Sequence, residues 1–425
     1  MTHSSTKPPV VLLAAGSSNR FFPFNNQGHK STLPLLGKPI FIHTLENLQR
    51  HQYQQLIIII KPEHEQQFSR QLQTHQLRAK LIHQPESKGM GHALLQAKDH
   101  LKSDQFFVIE PAQIQAGQYL DQMLTASREV SRNSSSSQAK EVLLASQTNA
   151  PWRYGILQIK NDRAVSIVEK PEKGTETSQT KLSAIYLLSQ RFLNILKQVP
   201  TEHYSFETAL NQLMQQEPIK LVQTNQPPPS FKYPWHLFDV QQKLFEQLRS
   251  LRAPTAKISP QAVLNESQGP IYVGEGARIG HQAVISGPAY IGPNSLVGDF
   301  CFVRRSSVEK GAVVGANAEL ARSILMPGSS FHFGYMADSI LGKNSWVGAG
   351  LITANKRLDE KPIRTLLNDQ MTETQKNKLG MIVGSEAKLG IRVNTMPGTI
   401  IGSKATVYPG LTIRHNIGVG ETVKK

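Results

Sequence analysis

The chain of 425 residues has a single cysteine, Cys301. It can form no internal disulfide and no cysteine-based metal cage, and a reducing, cytoplasmic setting is the simple expectation. Long apolar runs are also missing. No stretch approaches the roughly 18 residues a membrane helix needs, so no span is expected. The run Val10–Ala15 is too short for a secretory leader and leads into Gly16 and Arg20. Acidic residues are scarce: 31 Asp and Glu against 47 Lys and Arg leave a net charge of +16. That excess favours anionic partners. The basic residues are scattered, so pockets for phosphates are expected rather than a nucleic-acid surface. Hydrophobic content of 39% and 18% charged residues describe a globular protein with sizeable cores, long enough for two or three domains.

What the chain does contain is a six-residue repeat. Val273, Ile279, Ile285, Ile291, Val297 and Val303 fall at steps of six. Val383, Leu389, Thr395, Ile401, Val407, Ile413 and Val419 resume the step after an interruption. This period fits neither a helix nor an ordinary sheet. It predicts a parallel β-helix, expected to be left-handed, whose flat sides each turn one aliphatic side chain inward. Glycines such as Gly274, Gly280, Gly292, Gly298, Gly384 and Gly402 follow the inward position, where a side chain would crowd the next coil. The polar stretch from Lys356 to Leu379 carries no such step and reads as a loop extruded from the coils, a common place for a binding surface.

Residues 9 to about 250 instead alternate strand-like and helix-like segments. Val10–Ala15, Gln55–Lys61, Ala79–Gln84 and Gln105–Ile109 read as strands. Ile40–His51, Pro62–His75 and Gly91–Lys102 read as helices between them. Such a series predicts an α/β domain with a Rossmann-like mixed, mostly parallel sheet. The serine run within Arg132–Gln138 reads as a mobile surface loop. Pro227-Pro228-Pro229 is a stiff connector, and Trp235–Leu251 reads as a closing helix. The domains are therefore expected at 1–252 and 253–425.

Leu13-Ala14-Ala15-Gly16-Ser17-Ser18-Asn19-Arg20 follows the first strand directly, and small residues there let the backbone approach phosphate oxygens. Alone, a tight turn would explain it equally well. The stretch resembles the opening of sugar-1-phosphate nucleotidyltransferases, L-A-A-G-x-G-T-R followed by a lysine and P-x-x-G-K-P, which is Pro34 to Pro39 here. Gln84 to Ala93, Tyr154-Gly155, Glu169-Lys170-Pro171 and Ala184-Ile185-Tyr186 resemble later landmarks in order. The resemblance implies that Leu13, Ala14, Ala15, Gly16, Gln84 and Gly89 hold a nucleotide, and Arg20 and Lys30 its phosphates. It implies that Gly155 and Glu169 hold the sugar. It also implies Mg²⁺, yet Ala112 stands where the family has the metal-binding Asp, with Glu110 two residues earlier. The second ligand position falls among Pro228, Pro229 and Ser230. Two alternatives stay open: a degenerate domain that still binds a nucleotide sugar, and an active one using Glu110 or Asp239.

A second site is expected where the six-residue step breaks. His332 and Tyr335 lie three apart, and Asn355 follows about one coil later. An imidazole is a natural base for taking a proton from an amine. The stretch Phe331 to Ser339 resembles the P-H-L-N-Y-V-G-D-S motif of a hexapeptide-repeat acetyltransferase domain. Gly348 to Asn355 resembles its G-A-G-T-I-T-A-N. That domain is fused to a nucleotidyltransferase in the archaeal-type bifunctional proteins that form UDP-N-acetylglucosamine. The resemblance implies acetyl transfer from acetyl-CoA to glucosamine 1-phosphate, with His332 as general base. It implies that Arg304, Tyr335, Asn355, Lys361 and Arg364 bind the sugar phosphate, and that Ala349 and Ser385 face the acetyl-CoA. A homotrimer is implied as well. Gly334 replaces the family Asn, Ala337 a Gly, and Arg322 is the nearest substitute for an absent lysine. The alternatives are a nucleotidyltransferase whose β-helix serves assembly and regulation, and a non-enzymatic scaffold.

Overall fold

The computed structural model describes residues 7–133 and 141–424. The serine run, 134–137, lies outside the described residues. The chain forms two compact units. The first comprises Met1–Ser17 and Ile40–Pro228, the second Ser18–Pro39 and Pro229–Lys425.

In the first unit the expected strands form: β1 (Val10–Ala14), β2 (Leu56–Ile60), β3 (Lys80–His83) and β4 (Gln105–Ile109). They continue as β5 (Val142–Gln147), β6 (Gly155–Lys160), β7 (Arg163–Glu169), β8 (Thr180–Ser189) and β9 (Ile219–Gln223). The sheet is mixed, in the order β3-β2-β1-β4-β8-β5-β9-β7-β6. Pairing is parallel from β3 to β4 and between β5 and β9, and antiparallel elsewhere. Helices α1 (Ile40–Arg50), α2 (Glu65–Thr74), α3 (Gly89–Gln96), α4 (Ala116–Asn133), α5 (Gln190–Gln198) and α6 (Ser205–Gln216) connect the strands. Two cores result. Val11, Val108, Tyr186 and Phe206 share one, and Val10, Leu12, Ile58 and Phe107 the other. The uninterrupted isoleucines of β2 are explained by burial on both sides.

The second unit is a left-handed parallel β-helix. Its coils stack three columns of short strands, for example Tyr272–Tyr290–Ser307–Ile324–Ile340–Ile382–Ile400 down one side. The inward residues form one continuous core from Ile271 to Ile417. The step does not stop in the middle; it shortens. Val303, Val308, Val314, Leu320, Leu325, Phe331, Met336 and Leu341 all point inward, with five-residue steps where a corner loses one residue. At three such corners Arg305, Arg322 and Asp338 take left-handed φ values of 50°, 49° and 48°. The glycine expectation also holds. A Cβ at Gly292 would lie 2.8 Å from the backbone of Glu309 and Lys310, and one at Gly298 2.7 Å from Ala316 N. Val419 does not keep the step: it is exposed, and Ile417 bridges Ile401 and fills the core instead. The last coil is two residues short.

One side of the β-helix is covered. Ile324, Ile340, Ile382 and Ile400 point away from the prism, since their neighbours Leu325, Leu341, Val383 and Ile401 point in, yet all four are fully buried. The excursion Ser18–Pro39 and the short helix α7 (Leu237–Phe245) belong to this unit. Hydrogen bonds to the coils hold the excursion. Glu309 accepts the backbone N–H groups of Leu36 and Gly37 at 2.7 and 2.8 Å. Gln27 donates to the Ser385 hydroxyl at 2.7 Å, and the Ser403 hydroxyl donates to the Pro23 carbonyl at 3.0 Å. The expected helix Trp235–Leu251 is shorter, because Leu251–Arg252 already pairs with Tyr272–Val273 as the first strand of the coil stack.

The extruded stretch is ordered too. It folds as a hairpin, Arg364–Leu367 with Gln370–Glu373. Asn416 pins it to the coils by donating to the Leu366 carbonyl at 2.6 Å, and Lys376 pairs with Asp239 of α7 at 2.5 Å.

Candidate functional sites

In the first unit β1 ends at buried Ala14, buried Ala15 follows it, and a Cβ at Gly16 would meet nothing within 4 Å. The Ser87 hydroxyl donates to the Ala15 carbonyl at 3.3 Å, drawing the loop after β3 to the loop after β1. Gln84 is buried there. Its amide nitrogen meets the Gly89 carbonyl at 3.2 Å and His92 Nδ1 at 3.0 Å. Gly89 has φ +87°, and a Cβ on it would lie 2.4 Å from the His203 carbonyl, so only glycine fits. The structure thus brings Ala15, Gln84 and Gly89 into one loop cluster. Leu13 sits one residue before β1 ends.

Gly155 pairs with Glu169 across β6 and β7, and a Cβ on Gly155 would lie 2.8 Å from the Glu169 carboxylate. Burial raises the Tyr186 hydroxyl pKa well above its ordinary value, and the nearby carboxylates of Glu207, Glu110 and Glu169 raise it further. Burial also raises Glu207, with Glu169 adding to the shift. Glu207 was not singled out from the sequence; its place one turn into α6, after Tyr204, carries no motif of its own.

Arg20 and Lys30 belong to the second unit. Arg20 lies over the Tyr233 ring at 5.8 Å, and the Lys30 ammonium reaches the Phe231 carbonyl.

The donor set does not fit Mg²⁺ as the resemblance implies it. Ala112 is buried and offers a methyl group where a carboxylate is expected, and Pro228, Pro229 and Ser230 offer none. Glu110 lies near Tyr186, on the side of the sheet that Val108 faces. Asp239 is engaged by Lys376. Among the described residues no group of three or more His, Cys, Asp or Glu is placed to hold a metal ion.

In the β-helix, His332 and Tyr335 lie on β10 (Ser330–Ala337), which pairs with β11 (Trp346–Thr353) on the next coil. The register slips after Phe333↔Ala349, so Gly334 faces Leu351. Gly334 has φ +131°, and a Cβ there would lie 2.1 Å from the Leu351 carbonyl. The glycine is required by this slip. His332 is exposed, makes no hydrogen bond among the described residues, and meets the Phe333 ring edge-on at 6.1 Å. Ala349 is half-buried opposite Phe333.

Tyr335 pairs between Glu319 and Ile352 on the same side of the prism. Arg304, one coil below Ala321, forms an ion pair with Glu319 and leaves its Nε buried without a partner. Arg322 grips Asp338 with two nitrogens at 2.7 and 2.8 Å. That carboxylate, and Tyr335 beside it, raise the guanidinium pKa. Asn355 donates to the same Asp338 at 2.6 Å. The structure therefore joins Tyr335, Arg322, Asp338 and Asn355 and places Arg304 on the same side. His332 lies on the stretch of β10 that stacks on Val313–Val314, and Tyr335 lies beyond the Gly334 slip on the stretch that stacks on Glu319–Ala321, the next side of the prism. Lys361 and Arg364 are exposed on the extruded stretch. Ser385 is buried against Gln27.

A family model described as nucleotidyl transferase matches residues 9–226. The chain belongs to the nucleotidyl transferase family. Relatives of this nucleotidyl transferase span its whole length. A bifunctional sugar-1-phosphate nucleotidylyltransferase/acetyltransferase of Sulfurisphaera tokodaii is 26% identical over 425 residues, covering 98% of this chain and 99% of the relative. The bifunctional protein GlmU of Methanococcus maripaludis is 28% identical, covering 96% and 95%. That of Methanocaldococcus jannaschii is 26% identical over 414 residues.

The corner of this nucleotidyl transferase that bears His332 is sterically tight. A Cβ at Gly315 would lie 1.9 Å from the His332 carbonyl. Gly315→Ala is expected to move that corner. Any acetyl transfer that depends on this corner should fall about tenfold or more, as misplaced catalytic groups do, with the circular-dichroism spectrum of the coils unchanged. An activity equal to wild type would show that the imidazole's placement is immaterial.

Proposed function

We propose that the β-helix transfers acetyl from acetyl-CoA to the amine of an amino-sugar 1-phosphate of the glucosamine 1-phosphate kind. The nucleotidyl transferase domain retains a nucleotide or nucleotide-sugar site but transfers poorly. The observation that carries the first half is the exposed, unencumbered His332 at a glycine-lined corner, with Tyr335 on the adjoining side and Arg322, Asp338 and Asn355 joined at that side's other end. The amine must be neutral to attack the thioester, and His332 removes its proton during the attack. The CoA thiolate leaves, and a backbone N–H meets the oxyanion. Arg304, Tyr335, Asn355, Lys361 and Arg364 hold the sugar phosphate, and Ala349 borders the thioester arm. This step uses no metal.

The second half rests on Ala112. Nucleotidyl transfer neutralises charge building on the phosphates, usually with carboxylate-bound Mg²⁺. The expected ligands are absent, so transfer through the ordinary metal pair does not fit these residues. The nucleotide cluster of Ala15, Gln84 and Gly89, and the sugar contacts Gly155 and Glu169, are intact enough to bind.

Exposed Phe302 and Ile352 lie in the strand column of Tyr335, and exposed Phe333 follows His332. They support a homotrimer, in which apolar side chains meet between subunits. The nucleotide and thioester substrates place the enzyme in the cytoplasm.

One paired assay tests both halves. Wild-type protein with acetyl-CoA and glucosamine 1-phosphate should release CoA. With UTP or dTTP, Mg²⁺ and sugar 1-phosphate, pyrophosphate release should be at least a hundredfold slower than CoA release. Comparable rates would restore the bifunctional reading, and pyrophosphate without CoA would favour a β-helix used for assembly alone.

A further inference from the structure

The corner residues of the β-helix stack in a column. Arg305, Arg322, Asp338 and Asn355 each follow an inward or buried residue (Val303, Leu320, Met336, Thr353) by two, on successive coils. The ladder places them directly above one another: Arg322 N–H donates to the Arg304 carbonyl and Asp338 N–H to the Ala321 carbonyl, both at 2.9 Å. Asp338 is thereby sandwiched. It is 8% exposed, and it takes two guanidinium contacts from the coil below and the Asn355 amide from the coil above.

We infer that Asp338 is a positioning residue that fixes Asn355 as a hydrogen-bond acceptor toward the acceptor substrate. The inference rests on the acetyl-transfer reading of this site. A carboxylate already accepting from both guanidinium nitrogens has no hydrogen to give, so the 2.6 Å contact requires the Asn355 NH₂ to donate. Its carbonyl oxygen is then turned away from Asp338. That oxygen takes an N–H or O–H; it offers nothing to a phosphate. Asn355 thereby presents that oxygen to the amine or a hydroxyl of the sugar, and its second amide hydrogen is a further donor. Asp338 also balances Arg322, as Glu319 balances Arg304. Both arginines are thus paired with carboxylates, whereas Lys361 and Arg364 of the extruded stretch are exposed and suited to the phosphate.

The test is a double-mutant cycle on the full-length protein with Asp338→Asn and Asn355→Ala. With Asn at 338 the amide pair can be satisfied in either orientation, so the acceptor is no longer fixed. D338N should lower kcat/KM for glucosamine 1-phosphate about tenfold and leave KM for acetyl-CoA unchanged. In the N355A background D338N should change kcat/KM less than about twofold, since groups acting through one another are non-additive. Additive losses, or a D338N defect shared by both substrates, would overturn the inference in favour of a purely structural corner. Should wild type release no CoA, the acetyl-transfer reading itself fails. The cycle is then read on binding of glucosamine 1-phosphate by calorimetry, where additivity or an absence of binding again overturns the inference.

Discussion

Replacing His332 by alanine should abolish acetyl transfer while leaving the fold untouched. A general base supplies roughly 10²- to 10⁴-fold, so residual turnover should lie near or below about one percent of wild type. KM for both substrates should change little, because the imidazole acts on the proton in flight rather than on ground-state binding. The side chain is exposed and makes no hydrogen bond among the described residues, and substitutions of that kind stay within about 0.5 kcal/mol in stability. The melting temperature should therefore match wild type. Initial-rate measurement of CoA release with purified H332A checks this. Turnover above about a tenth of wild type would remove the imidazole from the chemistry and leave only proximity.

Glu309→Ala should produce the largest loss of stability among single changes in the covering of the β-helix. Glu309 is 1% exposed and accepts from Leu36 N–H, Gly37 N–H and the Ser307 hydroxyl. Its removal orphans the buried Leu36 N–H, at about 1–3 kcal/mol beyond the volume lost, while exposed Gly37 can turn its N–H to water. A total near 2 kcal/mol corresponds to roughly 4–8 °C in melting temperature for a unit of this size. The pH dependence carries a second signature. Burial raises the carboxyl's folded-state pKa above the unfolded one, and the three donors pull it part of the way back. A raised folded value contributes stability that is complete below the ordinary glutamate pKa and is lost as pH rises through the folded value. E309A should lose that slope as well as the stability. Scanning calorimetry from pH 4 to pH 8 would detect both, and an unchanged midpoint would mean that the Leu36–Gly37 turn is not anchored by this carboxylate.

The repeat was legible because each coil must bury one side chain per side, and a fixed period is the consequence. Val419 misled because the period was extended past a short coil, where Ile417 takes the inward place. The interruption after Val303 hid continuing coils for the same reason: a corner that drops one residue shifts the phase without breaking the stack. The covered side was also written in the sequence. Doublets such as Ile324-Leu325, Ile382-Val383 and Ile400-Ile401 are apolar on both alternating positions, which a solvated side would not tolerate. What could not be read was the cover, since contacts between Glu309 and Leu36 join residues 273 apart. In the candidate site the residues at the slip, His332, Gly334 and Tyr335, stood out locally. Asp338 did not, because its role comes from stacking three coils, a relation no spacing along one strand reveals. The first unit's parallel half followed from apolar runs and their spacing. The long strand β8 and helices α4 and α6 lacked a clean period and were identified from coordinates.

The central claim is that this prism is an acetyltransferase acting on a phosphorylated amino sugar. Mass spectrometry of the product formed from acetyl-CoA and glucosamine 1-phosphate by wild-type protein, with a chelator present, tests it most directly. The account predicts an N-acetylated sugar phosphate formed in step with CoA and lost in H332A; an unchanged sugar phosphate, or equal product from H332A, would contradict it.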